Sequence, residues 1–346
     1  MGSKKPVIGI TMGDAAGIGP EVLAKALFDK SIYRKCRPLI IGDAEVMEYS
    51  FKSLKKKNSN GKIKINVVKK PGAANFKDGT IDILVLPNAK IENLVKGQVN
   101  ISASKAAIEY IKHATTMAMK GEIDAITTGP INKEAMRRAG FYFNGHTEYF
   151  AQLTNTRRYA MMFVGAGIYV VLLTTHLPIK RIGNFIIHEK IFKTIKLTKE
   201  VMETYFGRKN PKIAVSGLNP HSGESGVFGQ EEIKEIIPAI QEAREQGINV
   251  IGPISPDILF FKARKKEFDV IIAMYHDQGL IPLKMMDFEK SVNITIGLPF
   301  VRTSVDHGVA YDIAGKGVAS HMSMVQAIKL AAEMTSAGVK GKKAAS

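Results

Sequence analysis

The sequence predicts an α/β protein on a largely parallel sheet with covering helices, in two domains or one large two-lobed unit. Three observations carry that expectation. Short apolar runs recur along the whole chain, helical patterns separate many of them, and 346 residues with 45% hydrophobic content can bury a large core.

In chain order, strand windows fall at residues 7–12, 39–41, 83–86, 125–128, 169–174, 213–216, 250–251, 270–274 and 292–296. Each is a brief run of Val, Ile, Leu or Ala, as expected of strands buried on both faces. Between them, "PEVLAKALFDK" opens a helix with Pro20 in its first turn, and "SASKAAIEYIKHATTMAMKG" and "GQEEIKEIIPAIQEAREQG" carry apolar residues at helical spacing. The tail "GVKGKKAAS" is expected to be loose. No internal repeat and no low-complexity linker marks a boundary.

Composition excludes several classes. The longest apolar runs, such as "YVVLL", are far short of the roughly eighteen residues that span a bilayer, and "MGSKKPVIGI" lacks the long apolar stretch of a signal peptide. The expectation is a soluble protein without a membrane segment, with the cytoplasm as default location. The single cysteine, Cys36, excludes an intrachain disulfide and a multi-cysteine metal site. A formal net charge of +17 invites a nucleic-acid reading. The excess, however, concentrates near the N-terminus: residues 51–70 hold eight lysines and no acid. There "FKSLKKKNSNGKIKINVVKK" alternates Lys with Ile and Val after an Asn-Gly turn signal, which suits a hairpin or edge strand with a solvated lysine face. With one aromatic, Phe51, and no arginine, it offers little to stack on bases, so nucleic acid is disfavoured.

Chemistry gathers at strand ends, where open α/β sheets bind ligands. "VVLLTTHLPI" ends in His176, "KIAVSGLNPHSGE" in His221, and "VIIAMYHDQG" in the polar quartet Tyr275, His276, Asp277 and Gln278. A lone histidine there is ordinarily structural. Three in the same context make a convergent metal site an equal alternative, because imidazole suits Zn, Mn, Co or Ni. The glycine-rich "GDAAGIGPEV" follows a strand and enters a helix, the context for anion binding by backbone N–H groups. It fits neither G-x-G-x-x-G nor a P-loop, so a tight turn and a ligand contact remain equal readings. "TTGPINKEAMRRAGFYFNGHTEYFA" places Asn132, Lys133, His146, Thr147 and Glu148 near another strand end, groups suited to a phosphate or carboxylate.

The motifs "GITMGDAAGIGPEV", "TTGPINKEAM", "FNGHTE", "TTHLPI", "GLNPHSGESG.FG.EE", "GPISPDILF", "AMYHDQGLIPLK" and "VNITIGLPFVRTSVDHG" together resemble the 4-hydroxythreonine-4-phosphate dehydrogenase family of vitamin B6 biosynthesis. The resemblance runs from about residue 7 to residue 335. Ala15 stands where that family usually has proline, and residues 51–70 match no motif of it.

The resemblance implies a two-domain fold similar to isocitrate and isopropylmalate dehydrogenases, with an active-site cleft between domains. Residues 1–128 with about 290–346 would form the first, cofactor-side domain, and about 129–289 the second, with metal, substrate and dimer contacts. It implies a homodimer sharing a site for one divalent ion (Zn, Mg, Mn or Co) held by His176, His221 and His276. A phosphorylated substrate would meet His146, Thr147, Lys284, Asn293 and Arg302. NAD would meet His307, Gly308, Ala310, Asp312 and Gly315 in "VDHGVAYDIAGKGVAS", with Asp312 favouring NAD over NADP because a carboxylate accepts from ribose hydroxyls and repels a 2′-phosphate. The implied reaction oxidises the substrate's C3 hydroxyl and then decarboxylates the resulting β-keto acid. Asp257, Asp277 and Lys284 are the candidate proton-transfer groups, each equally readable as an orienting residue. Oxidation of 4-phospho-D-threonate or 4-phospho-D-erythronate is the alternative within the resemblance; a phosphate acyltransferase and a nucleic-acid-binding module are remoter ones.

Overall fold

The structure is a computed structural model, and it describes residues 5–55, 64–143 and 145–344. The described strands are β1 (Val7–Thr11), β2 (Arg37–Ile41), β3 (Lys64–Val68), β4 (Thr80–Leu84), β5 (Ala125–Thr128), β6 (Ala160–Gly165), β7 (Ile168–Leu172), β8 (Ile213–Ser216), β9 (Val250–Ile254), β10 (Val270–Ala273), β11 (Val292–Ile296) and β12 (Val301–Val305). The helices are α1 (Gly19–Ala26), α2 (Lys30–Lys35), α3 (Ala44–Lys55), α4 (Ile101–Met119), α5 (Lys133–Arg138), α6 (His146–Leu153), α7 (His188–Phe206), α8 (Ile237–Glu245), α9 (Pro256–Arg264), α10 (His276–Met286) and α11 (Met322–Ala344).

The chain divides into two compact units, residues 1–156 with 298–336, and residues 157–297 with 337–346. In the first unit β3, β4, β2, β1, β5 and β12 lie side by side, every neighbouring pair parallel. β1 is buried along its whole length, as its unbroken apolar run requires. In the second unit the order is β11, β6, β7, β10, β8, β9. β6 joins β7 in an antiparallel hairpin and also pairs antiparallel with β11, whereas β7, β10, β8 and β9 run parallel. Ala166 and Gly167, at φ 50° and 75°, form the two-residue turn, and both positive φ values match the twist of a hairpin.

The sequence windows mark nine of these strands, the edge-strand reading of the lysine-rich stretch covers β3, and β6 and β12 are left unassigned. The first division falls after Thr156 rather than after residue 128, because α5 and α6 pack on α4 of the first unit. The tail is helical to Ala344 where it was expected to be loose. Within the lysine-rich stretch, residues 51–55 end α3 and Lys64–Val68 is indeed an edge strand, parallel to β4 and not part of a hairpin. The Asn-Gly signal at residues 60 and 61 lies outside the described residues. Among those described, no helix is long and apolar enough to cross a membrane.

Candidate functional site

In the first unit the side chains build outward from Arg302. It occupies β12, paired with β5, and is only 1% exposed. Its guanidinium donates to Thr128 Oγ1 (2.6 Å) at the end of β5 and lies 5.6 Å from the Phe150 ring centroid. Burial pulls its pKa down to about 9, against the raising influence of Glu148, so it remains a cation at neutral pH.

His146 opens α6 and stacks on Phe150, with centroids 6.4 Å apart and 15° between planes. Burial, then the charges of Arg302 and Lys133, hold its pKa well below the ordinary histidine value, and the ring is neutral at pH 7. Its Nε2 is shut away without a hydrogen-bond partner. Thr147 is buried beside it, and the Lys133 side chain approaches Gly145. A buried cation, an unpaired ring nitrogen and the N-terminal turn of a helix make an oxyanion-binding set. Asn132, also singled out in the sequence, caps α5 by accepting the Ala135 N–H on its Oδ1 (2.8 Å).

The loop around residues 306–320 is tied to the glycine-rich segment. Ile18 N–H donates to Val309 O (2.9 Å), and the Tyr311 hydroxyl donates to Asp14 Oδ2 (2.6 Å). Glu21 accepts from the N–H groups of Gly317 (3.1 Å) and Ala319 (3.2 Å). A Cβ on Gly17 would lie 2.7 Å from Val309 O, and one on Gly13, at φ 76°, 2.4 Å from Pro130 O. Gly17 therefore serves close packing against that loop and Gly13 a left-handed turn against Pro130, which accords with the tight-turn reading of the motif. Ala310 takes φ 41°, His307 Nδ1 lies 3.0 Å from Gly308 O, and Asp312 is exposed, as is Gly315.

In the second unit, the parallel neighbours β7, β10 and β8 lead into the segments bearing His176, His276 and His221. The strand order thus brings the three histidines to one edge of that sheet. The rings of His176 and His276 have centroids 6.0 Å apart. His276 Nδ1 is 2.6 Å from Asp277 Oδ1, an arrangement that fixes the ring and leaves Nε2 to face a ligand. His221 sits in a turn whose residues 221–225 all have positive φ. It is not gathered with the other two: among the described residues no group of three His, Cys, Asp or Glu could hold a metal. Two imidazoles on one ion have centroids roughly 5–6 Å apart, so His176 and His276 fit a divalent metal, with further ligands required from beyond that pair.

Asp257 lies in the first turn of α9 and accepts from the Ser255 hydroxyl. That bond, chiefly, lowers its pKa, which makes it a weak base. Lys284, on α10, places its ammonium 5.6 Å from the Phe288 ring centroid. Asn293, on β11, has a buried Oδ1 without a hydrogen-bond partner.

Sheet order defines a two-unit α/β protein whose first unit carries a buried cation beside an unpaired imidazole nitrogen and whose second carries a pair of neighbouring imidazoles. Comparison with known proteins supplies the family. The family described as "Pyridoxal phosphate biosynthetic protein PdxA" matches residues 34–331. A "4-hydroxythreonine-4-phosphate dehydrogenase" of Desulforapulum autotrophicum is 47% identical over 332 residues, 96% of either chain. A "Putative D-threonate 4-phosphate dehydrogenase" of Symbiobacterium thermophilum is 45% identical over 333 residues, 96% of this chain and 98% of the other. The crystal structure of a 4-hydroxythreonine-4-phosphate dehydrogenase from Klebsiella pneumoniae superposes with a TM-score of 0.84 at 37% identity, covering 95% of this chain and 99% of that one. The chain belongs to the PdxA family, a family of dehydrogenases.

Proposed function

We propose that the chain oxidises 4-phosphooxy-L-threonine at C3 with NAD and a divalent metal, and that the product then decarboxylates to 3-amino-2-oxopropyl phosphate. The observation that carries this is Arg302, a buried cation beside the unpaired Nε2 of His146, a combination that suits a phosphate. Arg302 would donate to phosphate oxygens, and neutral His146 would add a hydrogen bond in the tautomer that protonates Nε2. Thr147, at the start of α6, would add its hydroxyl.

His176, His221 and His276 would hold the metal, with ligands shared in a homodimer. When bound, the metal supplies charge that favours loss of the hydroxyl proton and stabilises negative charge on the oxygen as carbon dioxide leaves. His307, Gly308, Ala310, Asp312 and Gly315 would hold NAD, which would supply the hydride acceptor for C3. Asp277 orients His276, and Lys284 is the stronger candidate for moving a proton, since Asp257 is held anionic by Ser255. The exposed Asp312 would accept from the ribose hydroxyls of NAD.

A dimer is supported by the outward faces of α9 and α10, which cover the same side of the second unit's sheet through Leu259, Phe260, Leu280 and Leu283. They leave Phe261, Ile281 and Met285 exposed at 53%, 57% and 83%.

A second reading, oxidation of 4-phospho-D-threonate, is favoured by the relatives of that name at 45% identity. Asn293 Oδ1 can accept from an ammonium or a hydroxyl at C2, so it serves either substrate. The test is NADH formation from each phosphate under matched metal. Preference for 4-phosphooxy-L-threonine supports the first reading, preference for the threonate the second, and no NADH from either removes both.

A further inference from the structure

Beneath the histidines of the second unit lies a run of buried polar contacts that the proposed reaction does not use. Thr174, two residues before His176, donates its hydroxyl to Met274 O (2.7 Å), and its N–H points to the same oxygen (3.2 Å). Met274 N–H, two residues before His276, donates to Gln278 Oε1 (2.6 Å). Gln278 Nε2 then donates to Gly217 O (2.9 Å), at the entrance to the segment that carries His221. Next along that segment, the N–H groups of Leu218 and Asn219 both donate to Glu232 Oε1 (2.8 Å each), and Asn219 Nδ2 donates to Glu232 Oε2 (2.9 Å).

These groups are deeply placed: Thr174 is 2% exposed, Gln278 9% and Glu232 1%. A buried amide and carboxylate cost stability unless their hydrogen bonds are met, and ordinary packing between strand and helix would be served by leucine. Here both ends of the Gln278 amide are used, and the Glu232 carboxylate accepts three bonds. The turn that follows needs such support. Residues 221–225 run through five consecutive left-handed conformations, at about 1–2 kcal/mol for each that is not glycine. Glu232 begins a π-helical turn that brings its carboxylate against this loop, where a Cβ on Gly223 would lie 2.8 Å from Oε2.

We infer that Gln278, Thr174 and Glu232 are positioning residues, a buried hydrogen-bonded belt that fixes the three histidine-bearing segments relative to one another and thereby sets the affinity for a divalent ion. The inference rests on the metal reading given under Proposed function. It assigns the belt no contact with substrate or metal.

The experiment is calorimetric titration of the chelated, assembled protein with Co²⁺, alongside a thermal melt of each variant. His276→Ala is the reference for the metal reading, and it should lose binding. Gln278→Met and Glu232→Gln should bind Co²⁺ roughly 10–100-fold more weakly while still folded at the titration temperature. Gln278→Glu, which keeps the acceptor for Met274 and loses the donor to Gly217, should fall between. Should Gln278→Met fail to fold, Gln278→Glu and Thr174→Val decide. Folded belt variants that bind Co²⁺ like the wild type while His276→Ala does not would overturn the belt alone. Unchanged binding in His276→Ala would overturn the metal reading and the belt with it.

Discussion

The two polar sets contrast in where their precision comes from. Arg302 and His146 are held inside the fold: one projects from β12, paired in parallel with β5, and donates to Thr128, and the other is stacked on Phe150. His176, His221 and His276 project from loops and a helix start, with His176 and His221 exposed, and depend on hydrogen bonds for their placement. Arg302 and His146 thus lie within one unit of the chain, whereas among the described residues the imidazole set is a pair without a third ligand. The lesson is that substrate charge recognition can survive as a property of the fold, while the metal set should respond to assembly and to single hydrogen bonds.

The largest effect that would break this contrast is at His276. His276→Ala, or exhaustive chelation of the wild type, should remove nearly all turnover while the melting temperature changes little, as for a half-exposed catalytic ligand. Retained turnover after chelation would remove the imidazole set from the chemistry. Next comes assembly. Phe261→Glu with Met285→Glu places charge on the exposed apolar face of α9 and α10, and sedimentation should show monomers that form no NADH. A fully active monomer would show that one chain suffices.

A smaller change is expected at Asp312. Its carboxylate is exposed, and Asp312→Ala should narrow the NAD to NADP ratio of kcat/KM by about 1–3 kcal/mol. An unaltered ratio takes Asp312 out of the cofactor contact. The smallest effect is on stability. The folded pKa of His146 lies below its unfolded value near 6.5, so the unfolded chain binds the proton more readily. Its stabilising contribution is present above about pH 6.5 and is lost as pH falls toward the folded pKa, at about 1.4 kcal/mol for each unit of difference. Urea melts from pH 7.5 downward should show the wild type losing more stability than His146→Gln, and parallel losses would contradict the assignment.

How much of this was legible in sequence depends on what each position exposes. β5, β8 and β11 are visible at their bounds because each is short and is followed at once by a glycine, Gly129, Gly217 and Gly297. β12 is not, because "VRTSV" buries Arg302, Thr303 and Ser304, and composition alone reads such a segment as surface. β6 merges with β7 across the Ala166-Gly167 turn, whose φ values no local pattern announces. The quartet from Tyr275 to Gln278 marks a site correctly, yet only the fold shows that Gln278 turns inward to Gly217 while Asp277 turns to His276. Glu232 closes the motif "GLNPHSGESG.FG.EE", yet nothing in the sequence tells it from its neighbour Glu231, and only the fold shows that Glu232 is the one buried.

The central claim is that Arg302 reads a phosphate, and the most direct test compares kcat/KM for 4-phosphooxy-L-threonine and its dephosphorylated analogue in wild type and in Arg302→Ala. The wild type should favour the phosphorylated compound strongly, and the variant should lose about 3–4 kcal/mol of that preference, roughly a hundredfold to a thousandfold, through the phosphorylated substrate alone. Equal losses on both compounds would show that Arg302 supports the fold rather than the phosphate, and would contradict the account.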